Sequence, residues 1–205
     1  NAISREMDSY HDRHDEFQRE MEGNVRRLPY ESDEERGIAH FDFVKNPSLI
    51  TTALTEFEPF NHQRGVQKYY RLLRFLNGPR SVFETTDCAL RPVHENGTPH
   101  LGGGAPLEIH GRLMVVFRDH RENLSEEAMH GLRIAFQDEL SRIRPDWKMA
   151  CIGTALYAAW FSSVSEEPCE EATGFELVLQ YWIWGHSEDE CFDNLGTLMQ
   201  GVGVA

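Results

Sequence analysis

The sequence predicts an α+β fold: a mainly antiparallel sheet of about four strands with helices packed on it, plus a helical N-terminal segment. Two observations predict it. Segments whose apolar residues alternate every second position are separated by segments whose apolar residues recur three and four positions apart. From Ser81 onward the order is strand, strand, helix, strand, strand, helix, so a hairpin followed by a helix occurs twice. Hairpins pair antiparallel, and the helices that follow them cover the sheet.

The chain divides into a peripheral part and a domain. Residues 1–60 are predicted to form a peripheral, partly helical or irregular N-terminal segment, and residues 61–205 a single α+β domain. Within the first part, a short helix is expected to begin near Pro47, because proline is favourable in a first helical turn. Pro59 is expected to end it.

The domain begins with a basic amphipathic helix, predicted over residues 64–76. Its apolar residues recur at helical spacing, and its cations fall on the other side. The apolar stripe comprises Val66, Tyr69, Tyr70, Leu73 and Leu76, and the cations are Arg64, Lys68, Arg71 and Arg74. The sequence Asn77–Pro79 is expected to end this helix, because glycine and proline both terminate helices.

The rest of the domain is predicted as two hairpins, each followed by a helix. The strands are expected at 81–93, 107–118, 148–164 and 173–184, and the helices at 125–143 and 187–199. Asn123 or Ser125 is expected to cap the first of these helices. Ser187 and Glu190 match a capping box at the start of the second.

The second hairpin is apolar on both of its alternating faces. An antiparallel strand with one wet face alternates apolar and polar residues, but these two strands do not. Large aromatic side chains, here Trp160, Trp182 and Trp184, forfeit several kcal/mol if they are left in water. The helices that follow the hairpins can cover one face. Either the N-terminal region, above all helix 64–76, or another protein chain is expected to cover the second.

Composition limits the partners of the chain. A formal net charge of −14 argues against nucleic-acid binding, which needs a dominant basic surface. No stretch approaches the roughly 20 apolar residues of a membrane helix, and no apolar signal core marks export. The four cysteines lie far apart without a CxxC pattern, which is typical of a reduced intracellular protein. We therefore expect a cytoplasmic protein that binds neither nucleic acid nor a membrane.

The first strand of the domain and the loop after it gather residue types that carry chemistry. Cys88 is the candidate nucleophile, with His94 or His100 as its base if the chain doubles back at Asn96–Gly97. The plainer interpretation is that Cys88 is a small buried hydrophobic residue of a strand. Gly102–Gly104 lack the helix and lysine that follow a phosphate-binding loop, so they are expected to be a flexible connection.

The histidines suggest two weak metal sites. His11 and His14 lie one helical turn apart, a spacing that permits two ligands. His94, His100 and His110 converge if the loop folds back along the strand. Neither set has a spacing that specifies a metal, so no cofactor is predicted.

The leading prediction is a non-enzymatic interaction or assembly protein. It is expected to form homo-oligomers or to dock a protein partner through the aromatic hairpin, with basic helix 64–76 meeting the acidic C-terminal quarter of the chain. The strand–helix–strand–strand order is similar to the core of viral tail-terminator and neck proteins, which implies a structural role by analogy of fold alone. The alternative is a small enzyme or small-molecule binder that uses Cys88, His94 and His100, with or without a metal.

Overall fold

The computed structural model describes residues 26–28, 42–98, 100–143, 148–161 and 172–203. The strands are β1 (Arg26–Leu28), β2 (Phe83–Leu90), β3 (His94–Glu95), β4 (Leu107–Phe117), β5 (Ala150–Phe161) and β6 (Ala172–Gly185). The helices are α1 (Ser48–Glu56), α2 (Arg64–Leu76), α3 (Glu126–Ile143) and α4 (Glu188–Val202). These helices and the four long strands occur in the order that the sequence predicts.

The strands form one sheet in the order β1–β5–β6–β4–β2, with β3 paired to the start of β4. The ladders between β2, β3, β4, β5 and β6 are antiparallel, while β1 joins β5 in parallel. The predicted α+β fold is confirmed. The two strands beyond the expected four are β1 and β3, which have three and two residues and are too short to show a periodicity.

The helices α2 and α4 run parallel on one face of the sheet. At their starts, Gln63 Nε2 donates a hydrogen bond to Asp189 Oδ1 at 3.1 Å. Further along both helices, Lys68 Nζ donates to Gln200 Oε1 at 3.0 Å. Helix 64–76 was one candidate to cover the second face of the sheet, and that expectation is wrong, because α2 packs beside α4 on the first face.

Glycines allow the backbones of these two helices to touch. A Cβ atom on Gly65 would lie 1.8 Å from the carbonyl oxygen of Phe192 and 3.1 Å from the amide nitrogen of Gly196. The first distance is far shorter than a carbon atom tolerates, and the second is tight, so α2 cannot carry a side chain at this contact unless the helices separate. The close approach aligns the apolar stripes of both helices above the sheet.

The main core lies between the helices and the sheet. The predicted stripe of α2 is buried in full, and α4 adds the four apolar residues that its spacing predicts. Tyr181 of β6 is 1% exposed, and its hydroxyl donates to the Ala89 carbonyl at 2.9 Å, so its polar atom is satisfied inside the core. The core residues of α4 and of the sheet are Phe192, Leu195, Leu198, Met199, Ile109, Leu113, Val115, Leu177, Leu179, Tyr181 and Ile183.

The opposite face of the sheet, here called the second face, is buried too. Met114, Tyr157 and Val178 are each at most 4% exposed there. Both faces of the hairpin formed by β5 and β6 are therefore largely buried within one chain. A neighbouring cluster consists of Leu28, Val116, Ala159 and Phe161, with Leu124 packed against it.

Polar side chains fix the ends of α3 and α4. Ser125 Oγ accepts a hydrogen bond from the amide three residues on, as the cap of α3. Asn123, the other predicted cap, instead exchanges two hydrogen bonds with the backbone of Phe117, at 2.8 and 2.9 Å. The alternative cap is wrong because Asn123 ties the turn before α3 to the end of β4. Ser187 caps α4 by accepting from the Glu190 amide at 3.2 Å, as predicted.

We predict that Gly65→Ala destabilises the fold by at least ~2 kcal/mol. The added methyl group would meet the Phe192 backbone rather than a flexible side chain, so the helices must separate and part of the core must open. The free energy of unfolding, measured by urea denaturation, checks this.

The matched control is Gly131→Ala in the exposed middle of α3. Nothing lies within 4 Å of a Cβ at Gly131, so this alanine should stabilise the protein by ~0.5–1 kcal/mol through helix propensity alone. Equal effects of the two substitutions would show that the contact between α2 and α4 does not limit stability.

Candidate functional site

The loop between β3 and β4 folds back over the second face. The side-chain amide of Asn96 holds it by donating to the Ala105 carbonyl at 2.9 Å. Gly102–Gly104 all have positive φ values, between 65° and 86°, which favour glycine. At the first of these glycines a Cβ atom would lie 2.2 Å from Cγ of Trp184, which is 3% exposed. Gly102, one of the glycines expected to form a flexible connection, therefore packs directly on Trp184, while Gly103 and Gly104 are exposed.

The three tryptophans of the predicted docking surface do not share a face. Trp184 and Trp182 lie on the second face, with Trp182 opposite His110 of β4. Trp160 is paired with Thr173 and so lies on the helix side of the sheet. Trp160 and Trp182 are partly exposed, whereas Trp184 is buried. The three rings therefore do not form one continuous aromatic patch.

Cys88 lies on the helix side of β2. It is paired with Leu113 and packs against the main core, and burial raises the pKa of its thiol to about 12. His94 is paired with Glu108 on the second face, so the sheet separates it from Cys88. His100 is exposed in the loop. The structure thus places the candidate nucleophile, partly buried, against the core and does not bring Cys88 and His94 together.

Three side chains converge on the second face where β3 meets β4: His94, Glu108 and His110. One ligand atom of each lies within 4.8 Å of the others. His94 Nε2 is 3.0 Å from Glu108 Oε1, and His110 Nδ1 is 3.9 Å from the same oxygen. The side chains of His94, Glu108 and His110 are 39%, 14% and 35% exposed, so the cluster is open to solvent at its edge.

The surroundings of His110 favour its neutral form. Burial lowers the pKa of His110, and electrostatic interactions with His94 and Arg91 lower it further, against the opposing effect of Glu108. A small cavity of about 220 Å³ adjoins this ring, below the ~300–1,000 Å³ of most ligand sites. The cavity is lined by Ala89, Arg91, His110, Gly111, Arg112, Gln180 and Trp182.

Sequence reasoning named His94 and His110 but missed Glu108. A signal was present, because Glu108 and His110 are two positions apart in a predicted strand and therefore share a face. The pattern of one strand does not reveal its register with the next strand, and this register is what sets His94 opposite Glu108. His11 and His14, the other predicted metal pair, lie outside the described residues.

A second candidate site is a groove on the outer surface of α2 and α4, called here the basic groove. Its volume is about 550 Å³. Phe75, which is 64% exposed, contributes with Leu72 and Met199 to an apolar wall, and three cations of α2 lie beside it. The groove residues are Arg64, Lys68, Arg71, Leu72, Phe75, Met199, Gln200 and Gly203. Arg74, the fourth predicted cation, instead donates to Thr51 Oγ1 at 3.3 Å.

The charges of this helix pair are not neutralised locally. In the described part of the chain, Arg64, Lys68 and Arg71 lie beyond ion-pair distance of any carboxylate. The first turn of α4 carries three acids, and its exposed residues Glu188 and Asp193 also lack an ion pair within the described ranges. Among the described residues, the two helices contact each other through uncharged partners, because Asp189 accepts from Gln63 and Lys68 donates to Gln200.

Comparison with protein families, curated proteins and solved structures finds no match for the chain. Among the residues that the structure describes, no helix is long and apolar enough to span a membrane. The analogy with viral tail proteins stays a prediction. Function is therefore argued from the geometry of the residues themselves.

We predict that Cys88 resists alkylation in the folded protein. With a thiol pKa of about 12, against 9.0 for an ordinary thiol, its thiolate population at pH 8 falls on the order of 1,000-fold. Iodoacetamide labelling with peptide mapping, before and after denaturation, measures the ratio of rates. Cys151 is the internal control, because burial raises its pKa only to about 11 and it should react faster than Cys88. A folded Cys88 that labels at the denatured rate would restore the nucleophile hypothesis.

The same shift predicts a loss of stability in alkali. The folded chain keeps the Cys88 proton up to about pH 12, whereas the unfolded chain releases it near pH 9. The contribution of this thiol to the free energy of unfolding is therefore fully present below pH 9 and is lost as the pH rises towards 12. Urea unfolding midpoints of the wild type and Cys88→Ala across this range should converge as the pH rises.

Proposed function

We propose that the protein is a non-enzymatic assembly protein whose copies associate head to tail, the acidic start of α4 in one chain lying in the basic groove of the next. The observation that carries the proposal is that cations and carboxylates of one helix pair, within the described residues, lack opposite charges at ion-pair distance. Complementary charges on separate surfaces attract neighbouring copies and set their orientation.

The chemistry of the basic groove suits an acidic helix end. Arg64 and Arg71 are exposed, and Lys68 is half-buried with its ammonium on Gln200. Phe75 offers a large exposed ring beside these cations, and aromatic residues and arginine are the types enriched at protein interfaces. A partner that presents carboxylates near a small apolar surface would satisfy both features.

A second copy of the chain presents such a surface. Glu188, Asp189 and Glu190 form the first turn of α4, and Asp193 is exposed one turn on. The net charge of −14 means that a basic groove is an exception on an acidic surface, so it selects acidic partners. The acidic turn of another copy is the partner that this chain itself supplies.

The placement of the two surfaces on α4 favours a head-to-tail arrangement of the copies. The acids lie at the start of α4, whereas the groove is lined by residues near its end, Met199 to Gly203. A helix of 15 residues is about 22 Å long. A copy shifted by roughly one helix length brings its acids to the groove of its neighbour. The contact joins different surfaces, so it closes as a ring or continues as a filament.

The aromatic hairpin has a smaller part in this proposal. Trp184 is 3% exposed beneath the glycine loop and has little surface to offer a partner. Trp160 and Trp182 keep partial exposure but lie on opposite faces. The proposed contact is therefore assigned to the helix layer.

We expect association that salt reverses. Size-exclusion chromatography with light scattering should give particles of more than one chain at low salt and monomers at high salt. Screening is the reason, because the Debye length falls from ~30 Å at 0.01 M to ~3 Å at 1 M ionic strength. A strict monomer at both salt concentrations contradicts the assembly proposal.

Charge reversal tests the two surfaces separately. A variant with Arg64→Glu and Arg71→Glu loses the groove, and one with Glu188→Lys and Asp193→Lys loses the acidic turn. Each should weaken self-association about tenfold or more. The control for the groove variant is Arg80→Glu, which makes the same type of charge reversal at one exposed arginine outside the groove.

Mixing the two reversed variants distinguishes head-to-tail contact from other modes. Each variant alone should be monomeric, but the mixture retains one intact groove and one intact acidic turn. The reversed groove of one variant and the reversed turn of the other are also opposite in charge, so the mixture is expected to associate again, as dimers or larger mixed particles. The absence of association in the mixture would contradict the proposed pairing.

A further inference from the structure

We infer that His94, Glu108 and His110 form a binding site for a divalent transition-metal ion such as Zn²⁺ on the second face of the sheet. Imidazole nitrogens and carboxylate oxygens are the ligands of many catalytic and open zinc sites. The three residues come from two neighbouring strands, so the register of the sheet sets their spacing. This site is on the face opposite the basic groove and does not depend on assembly.

The distances are close to those that a bound ion needs. At metal–ligand distances of ~2.0–2.2 Å, tetrahedral geometry places ligand atoms about 3.3 Å apart. Glu108 Oε1 is 3.0 Å from His94 Nε2 and 3.9 Å from His110 Nδ1. The imidazole rings meet edge to face with centroids 5.0 Å apart. Small side-chain rotations are therefore enough to bring the three atoms around one ion.

The hydrogen bond on the far side of His94 sets its tautomer. His94 Nδ1 lies 3.1 Å from the Pro92 carbonyl oxygen, which can only accept, so this nitrogen carries the proton. In the neutral ring, Nε2 then presents a lone pair to the Glu108 carboxylate. Two acceptors at 3.0 Å repel unless a positive centre lies between them. A ligand histidine commonly has this backbone-carbonyl partner at its other nitrogen.

The positive centre is either a second proton on His94 or a metal ion. A proton joins one pair of atoms, whereas a metal ion can join three ligand atoms. The described residues contain a second histidine–carboxylate contact, between His120 Nε2 and Glu84 Oε1 at 2.8 Å. That pair is not part of a three-ligand cluster in the described residues. At Glu108 a second imidazole converges on the same carboxylate oxygen, and a metal ion is what joins all three.

The neighbouring charges are compatible with a bound cation. Arg112 is held by Asp87, with Nη2 at 2.7 Å from Oδ2, so its charge is compensated. Arg91, near His110, opposes cation binding, while the net charge of −14 favours it. Three protein ligands leave at least one coordination position for water, as in open zinc sites.

Metal titration of the purified, chelator-treated protein tests the inference. The chain carries His11→Ala and His14→Ala, which removes the other histidine pair. Isothermal titration with Zn²⁺ should give one ion per chain, and Co²⁺ should show the visible absorption of a low-symmetry site. Glu108→Gln, which keeps the size of the side chain, and His94→Ala should each weaken Zn²⁺ binding about 100-fold or more.

Two variants serve as controls. His100→Ala changes a histidine of the same loop, and Glu84→Gln changes the carboxylate that contacts His120. Both should bind Zn²⁺ as tightly as the parent. Circular dichroism establishes that each variant is folded, and Zn²⁺ should raise the melting temperature of the parent and controls alone. The absence of saturable Zn²⁺ binding, or equal affinity in Glu108→Gln and His100→Ala, overturns the inference and assigns a proton to the His94–Glu108 contact.

Discussion

A sheet whose last hairpin is apolar on both faces cannot leave either side in water, and the rest of the molecule is arranged around that constraint. Helices α2, α3 and α4 cover one side and form the main core. The second side is covered by smaller pieces, among them Leu28 of β1, Leu124 of a turn and the glycine loop over Trp184. Hydrophobic burial on both sides thus accounts for elements that no local propensity requires.

The difference between the coverings of the two faces also explains where polar side chains cluster. The helix layer meets water over long surfaces, and its cations and acids remain outside the core. On the second face, the polar residues beside the β3–β4 loop, His94, Glu108 and His110, lie between the buried part of the sheet and solvent. Glu108 is 14% exposed while its two histidine neighbours are more than a third exposed. Partial burial strengthens electrostatic contacts without excluding an ion or its water.

Periodicity was sufficient for the long elements and insufficient for the contacts between them. The stripes of α2 and α4 follow from spacing alone, because each helix has one apolar side. Register is not a property of one strand, so the convergence of His94 with Glu108 could not be derived from alternation. The role of Gly65 was equally hidden, since a glycine in a helix looks like a weakness until its neighbour is known.

The edge strands of the sheet affect how copies of the chain can associate. β2 is an outer strand, and its ladder with β4 shifts register between Thr85 and Asp87. The residue between them, Thr86, is buried and donates to Glu176 Oε2 at 2.7 Å, which anchors this bulge. In the described residues, the strand at the opposite edge, β1, has three residues. A bulged strand and a short strand are poor templates for edge-to-edge pairing, so the described edges of the sheet disfavour amyloid-like growth.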